Sequence, residues 1–287
     1  MFNIAIKQEE YLTYILKDLD SNSRLEIVPE KGGIVTDWTI QGQKILYLDQ
    51  ERFKNPQLSV RGGIPILFPI CGNLPDNIFN YQDQQYILKQ HGFARDLPWK
   101  VISQSTDSSA NIILSLKSNS ETLKVYPFEF ELQFTYKLLG KKLIIEQLYQ
   151  NKSQEKMPFS VGFHPYFYCN DKNQLNLQIP ATEYHNKNGD ITYPFNGELD
   201  YSTEEIDIAF TQISEQKTSF ADYKRNLKVD ITFTELFSTL VFWTLKDKDY
   251  ICLEPWSSPR NSINTGEQLK YLQPQEIHKA NIIIEVF

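Results

Sequence analysis

From residue 127 to residue 136 the chain alternates without a break. Phe128, Phe130, Leu132, Phe134 and Tyr136 fall on one side, and Glu129, Glu131, Gln133 and Thr135 on the other. A period of two is that of a half-buried β-strand. Leu138-Leu139-Gly140-Lys141 supplies a turn, and residues 142–149 read as the return strand of a hairpin. Asn151-Lys152-Ser153-Gln154 marks the next turn. Further strands are predicted over residues 11–16, 24–28, 34–40, 99–105, 111–116, 175–179, 228–233, 239–243, 250–254 and 278–286. Their spacing, with polar turns between, favours an all-β sandwich or barrel over alternating βαβ units. No helical period is sustained, and there is no internal repeat or linker, so residues 1–287 are expected to form a single domain. Residues 61–77 and 255–266, rich in Gly, Pro, Asn and Ser, read as ordered loops. Loops of that length on a β scaffold often carry a binding site.

Composition sharpens this picture. Sixteen Tyr and eighteen Phe suit wide sheets packed face to face. A net charge of −7 argues against nucleic acid or an anionic membrane as the main partner. Cys71, Cys169 and Cys252 are far apart, form no Cys-x-x-Cys and number three. With no apolar signal core in the first twenty residues, they are expected to be free thiols of a cytoplasmic protein. No stretch is long and apolar enough for a membrane-spanning helix.

Candidate chemistry is sparse. Of four histidines, His91 and His164 lie in apolar, Gly- or Pro-flanked strings, whereas His185 and His278 have polar, surface-like contexts. His91 is either a turn histidine capping a carbonyl or a functional imidazole. His164, between Phe163 and Pro165, is either a satisfied core histidine or a proton-transfer group walled by Tyr166 and Phe167. Glu254 ends an apolar strand; it reads as a base whose pKa burial would raise, with a buried ion pair to Arg260 as the alternative. Arg61, ahead of two glycines, is a candidate for a hydroxyl or anion, or for a structural salt bridge. Asp207, in an apolar string, is a binding carboxylate or a solvated strand position. No two histidines have ligand spacing, so no metal is expected. Nucleophile-elbow, phosphate-loop and dinucleotide fingerprints are missing. What remains is proton transfer without a cofactor.

Four strings together resemble the aldose 1-epimerase, galactose mutarotase-like family. They are Arg61-Gly62-Gly63-Ile64-Pro65-Ile66-Leu67-Phe68-Pro69, His91-Gly92-Phe93-Ala94-Arg95, Pro158 through Phe167 around Gly162-Phe163-His164-Pro165, and Cys252-Leu253-Glu254-Pro255-Trp256. The resemblance spans nearly the whole chain, in order. It implies a large antiparallel β-sandwich of the supersandwich type, with a groove for a sugar on one sheet. It also implies exchange of α and β anomers. Carried over, Glu254 is the base at the C1 hydroxyl, His164 the acid at the ring oxygen, and His91 a hydrogen-bonding partner that helps to stabilise charge. Asp207 and Arg61 would hold hydroxyls, and Trp256, Tyr166 or Phe68 would stack on the pyranose. Arg61 and Arg95 also resemble the phosphate-binding residues of the hexose-6-phosphate branch, whereas Leu253-Glu254-Pro255-Trp256-Ser257-Ser258-Pro259 is similar to the branch assigned to unphosphorylated or unknown sugars. A non-catalytic carbohydrate-binding module on the same scaffold is the other alternative. The expected partner is a small-molecule sugar, bound by a monomer or homodimer.

Overall fold

A computed structural model describes every residue except 56, 57, 188 and 190. It is built from two eight-stranded antiparallel sheets, joined by a five-stranded sheet made by the first strands of the chain. One large sheet runs, in spatial order, Leu175–Gln178, Lys217–Asp222, Leu227–Phe233, Ile277–Val286, Lys142–Asn151, Phe130–Leu139, Ala110–Lys117 and Lys100–Ser105. The other runs Thr192–Pro194, Glu183–Asn186, Glu205–Phe210, Thr239–Leu245, Tyr250–Trp256, Gly162–Phe163 and Ile66–Leu67, with Tyr166–Tyr168 added against Tyr250–Trp256. Aromatic side chains of the two sheets meet in one core. Phe134 packs on Phe163 at 5.8 Å and Phe220 on Phe167 at 5.1 Å, between ring centres. The expected all-β sandwich is therefore the fold observed.

The alternation read between residues 127 and 136 matches Phe130–Leu139, whose odd and even positions differ in burial as a period of two requires. The hairpin is tighter than the sequence suggested. Leu139 pairs with Lys142, so only Gly140 and Lys141 form the turn, with Gly140 at φ 61. A two-residue turn needs that left-handed φ, and glycine adopts it without a steric penalty.

Both predicted loops contain strand. Ile66–Leu67 pairs with Gly162–Phe163, and Tyr250–Trp256 continues two residues past Glu254. Pro255 suggests a stop there because it has no N–H. Pairing nevertheless resumes at once, since Trp256 is opposite both Thr239 and Gly162. Among the described residues α-helix is confined to three short pieces, Gln50–Lys54, Ser120–Val125 and Ser262–Thr265, beside the 3-10 turns Pro75–Asn77 and Lys172–Gln174. Phe2–Gln8 and Thr192–Pro194 are strands beyond those expected; both are edge elements and largely exposed, although Phe2, Ile4 and Ile6 do alternate with Asn3, Ala5 and Lys7. Among the described residues no helix is long and apolar enough to cross a membrane.

Candidate active site

The strand Tyr250–Trp256 is buried along its whole length. Period two sends Ile251 and Leu253 into the core shared by the two sheets, while Cys252, Glu254 and Trp256 take the opposite face. Register carries the pattern sideways. Ala209, Val241 and Glu254 form one cross-strand row, and Asp207, Trp243, Cys252 and Tyr166 the next. The small Ala209 and Val241 beside Glu254 leave a hollow. Taller side chains around it close a cavity of about 230 Å³, lined among others by Arg61, Gln90, His91, Arg95, His164, Tyr166, Lys187, Glu205, Asp207, Trp243, Glu254, Trp256 and Arg260.

Glu254 sits at its base, 1% exposed. Its Oε2 accepts a hydrogen bond from Trp256 Nε1–H at 3.0 Å, and its Oε1 lies 3.3 Å from His164 Nε2. Burial pushes the carboxyl well above the usual carboxylate range, and nearby Asp207 adds to this, against the Trp256 hydrogen bond and Arg260, which lower it. Burial pushes His164 the other way, down to about 3, with Arg95 the next cause. Both shifts therefore favour Glu254 over His164 as the holder of a proton shared by the pair. The His164 ring stacks on Tyr166 at 4.7 Å with planes 8° apart. Its Nδ1 is buried and has no partner among the described residues.

His91 has the left-handed backbone φ 66. Its Nδ1 accepts from the Gly72 backbone N–H at 3.0 Å, so the ring caps an amide rather than a carbonyl. Nε2 must then carry the ring proton. Burial, and after it Arg95, hold His91 well below the usual imidazole range, so it stays neutral. The ring meets His164 and Trp256 edge-on, each at 5.7 Å.

Arg260 does not pair with Glu254. Its NH2 donates to Asp207 Oδ1 at 2.7 Å, and its guanidinium lies 5.3 Å from the centre of the Trp256 ring. Asp207 is thus a cavity carboxylate and not a solvated strand position; Lys187 approaches its other oxygen at 3.7 Å. Arg61 lies 5.7 Å from the centre of the Trp243 ring. Arg95 donates to the Gln90 carbonyl at 2.9 Å while its Nε is buried without a partner among the described residues. The two glycines after Arg61 serve the protein's own chain. A Cβ on Gly62 would lie 2.4 Å from Leu48 Cα, and one on Gly63 2.1 Å from the Val35 carbonyl oxygen.

One expected contact is corrected. Phe68 is fully buried, packed on Phe130 at 5.0 Å and Phe159 at 5.9 Å, and takes no part in the cavity. Trp256 and Tyr166 do line it, but Tyr166 offers a face to His164 and Trp256 offers one to Arg260. The fold also gathers a trio that spacing did not suggest. Ligand atoms of His164, Cys252 and Glu254 lie within 4.8 Å of one another. Burial and Glu254 hold the Cys252 thiol protonated, and His164 Nδ1 lacks the second partner that metal-bound imidazoles usually have. The trio fits a proton-transfer pair beside a thiol better than a metal centre.

Residues 19–285 match the family model for aldose 1-epimerase. The chain belongs to the aldose 1-epimerase family. It is 27% identical to the chromosomal LacX protein of Lactococcus lactis, over 92% of this chain and 90% of that one. Among solved structures it is similar to the Slr1438 protein of Synechocystis sp. PCC 6803, with TM-score 0.95 and 52% identity, covering 100% of this chain and 99% of the other. A galactose mutarotase-like protein of Clostridium acetobutylicum shares the fold at TM-score 0.84 and 20% identity, over 100% and 98% of the two chains.

In this member of the aldose 1-epimerase family, sequence reasoning missed Trp243, Glu205, Lys187, Gln90 and Arg260 as cavity residues. Trp243 had a usable signal, since it lies two positions beyond Val241 on a strand already recognised. Lys187 and Arg260 come from loops and had none. Trp243 Nε1–H donates to Glu205 Oε1 at 2.8 Å, and that bond is the main reason the Glu205 carboxyl is held below its usual value.

Burying Glu254 has a price in stability that depends on pH. Because its folded pKa is raised, its favourable contribution is complete below the unfolded value and is lost as pH rises through the folded one. Glu254→Gln should therefore melt above wild type at alkaline pH, and the gap should close as pH falls toward the ordinary carboxylate range. Each kcal/mol moves Tm by about 2–4 °C in a chain of this size. Melting curves across pH check this, and a gap that widens toward acid would refute it.

Proposed function

We propose that this protein is a cofactor-independent aldose 1-epimerase that interconverts the α and β anomers of a free aldohexose. The supporting observation is the Glu254–His164 pair, buried at the base of a polar cavity and 3.3 Å apart. Ring opening moves one proton off O1 and one onto O5. Glu254 takes the O1 proton, His164 gives its proton to O5, and the C1–O5 bond breaks to leave an open-chain aldehyde. Rotation about C1–C2 presents the other carbonyl face, and the protons return. No electrons are gained or lost overall, so the reaction calls for no redox cofactor.

Glu254 must start ionised and His164 protonated, one proton shift across 3.3 Å from the distribution that burial favours. After ring opening Glu254 holds the proton and His164 is neutral. Burial thus stabilises the arrangement that accompanies the open chain. The proton on His91 Nε2 suits the oxygen on which negative charge grows, and Asp207 and Arg61 suit sugar hydroxyls.

Anomer exchange measured by NMR at equilibrium, on glucose, galactose and glucose 6-phosphate, tests the reading. Exchange above the spontaneous rate supports it. Sugar binding without faster exchange would turn it toward a binding module.

A second reading, a hexose-6-phosphate mutarotase, rests on Arg61 and Arg95. Among the described residues neither has a carboxylate within salt-bridge distance, whereas Lys187 and Arg260 face Glu205 and Asp207. Guanidinium suits phosphate. If that reading holds, Arg61→Ala and Arg95→Ala should cost glucose 6-phosphate about tenfold more in KM than glucose. Equal losses on both sugars would exclude it.

A further inference from the structure

Gly72 lies between the strand Ile66–Leu67 and the 3-10 turn Pro75–Asn77. It exchanges two hydrogen bonds with His91. Its N–H donates to Nδ1 at 3.0 Å, and its carbonyl accepts from the His91 N–H at 2.7 Å. One residue thereby fixes both the backbone and the ring of His91, and a peptide N–H on Nδ1 leaves only Nε2 to hold the ring proton.

The same glycine makes room for the other arm of the cavity. A Cβ on Gly72 would lie 2.4 Å from Arg260 Cγ and 3.1 Å from Cδ and Nε. The stem of Arg260 thus occupies the space a side chain would take. From there its guanidinium reaches Asp207 at 2.7 Å and covers Trp256, which in turn donates to Glu254. Gly72 has φ 74, a value glycine adopts freely and at which alanine is strained even apart from the clash.

We infer that Gly72 is a positioning residue that ties the two arms of the cavity together, holding His91 as its Nε2–H form and seating Arg260 between Asp207 and Trp256. It acts through those side chains and does not touch the sugar. The inference rests on reading the cavity as the epimerising site.

Two measurements separate it from that reading. Long-range proton–nitrogen NMR on the sugar-free protein reports the His91 ring directly. Protonated Nε2 with bare Nδ1 is expected, and protonated Nδ1 overturns the inference whether or not any sugar turns over. The second is a double-mutant cycle on kcat/KM with Gly72→Ala and Arg260→Ala. Each single change is expected to cost about tenfold, mostly in KM as Asp207 loses its anchor, and the double change little more than either. Losses that simply multiply would overturn the inference. If Gly72→Ala fails to fold, the double variant, in which the new methyl meets no arginine stem, should recover the fold. Failure of that variant too would overturn it. A wild-type protein that speeds no anomer exchange refutes the epimerase reading instead, while the ring-nitrogen measurement still judges Gly72.

Discussion

Glu254→Gln is expected to lower anomer exchange by about a hundredfold to ten thousandfold, the usual contribution of a positioned acid or base. The substitution preserves shape. The amide oxygen still accepts from Trp256 Nε1–H, and the amide NH2 donates to His164 Nε2, which burial keeps unprotonated. Both neighbours therefore stay in place, and sugar affinity should change little. The ability to accept a proton from O1 is what disappears. NMR exchange alongside titration of sugar binding distinguishes the two effects. Unchanged exchange with normal binding would remove Glu254 from the mechanism.

His164→Gln should cost about a hundredfold or more, and it should invert the pH dependence. Wild-type activity requires one proton in the pair. On the acid side a second proton goes onto His164, whose value lies at about 3. On the alkaline side the last proton leaves Glu254, whose value burial has lifted well above the carboxylate range. Rate therefore falls in both directions, giving a bell. In His164→Gln, Glu254 works alone and must be ionised, so residual activity should rise with pH through the Glu254 titration where wild type declines. Rate against pH for both proteins checks this. A flat wild-type profile, or a variant that declines in parallel with it, would contradict the shared proton.

The chemistry was easier to read from the chain than its surroundings. Glu254 announced itself as a lone acid in an apolar run, whereas Trp256, read as part of a loop, reaches its face only because the strand runs on to residue 256. His164 and His91 stood out by their apolar neighbours. What could not be read were contacts between distant parts of the chain. Arg260 was offered as a partner for Glu254, six residues away, but it binds Asp207, 53 residues away, because the cross-strand register brings that carboxylate alongside. The stacking role of Phe68 was implied by the resemblance alone, and Ile64 to Phe68 has no period to say which way each side chain faces. The fold turned it inward, against Phe130 and Phe159. The glycines behind Arg61 allow a close approach, and the approaching atoms belong to Leu48 and Val35 and not to a ligand.

The placing of Ile277–Val286 has a consequence for how the protein is made. This strand fills the gap between Lys142–Asn151 and Leu227–Phe233. Lys142–Asn151 leaves the ribosome long before Ile277 does. Until the late strand emerges, two strands of the growing chain each present an open, strongly hydrophobic edge, the kind of surface that pairs with other chains. Completion of the sandwich therefore waits on residues 277–286, and a polypeptide stopped short of this strand should be a target for chaperones and proteases instead of a weaker enzyme.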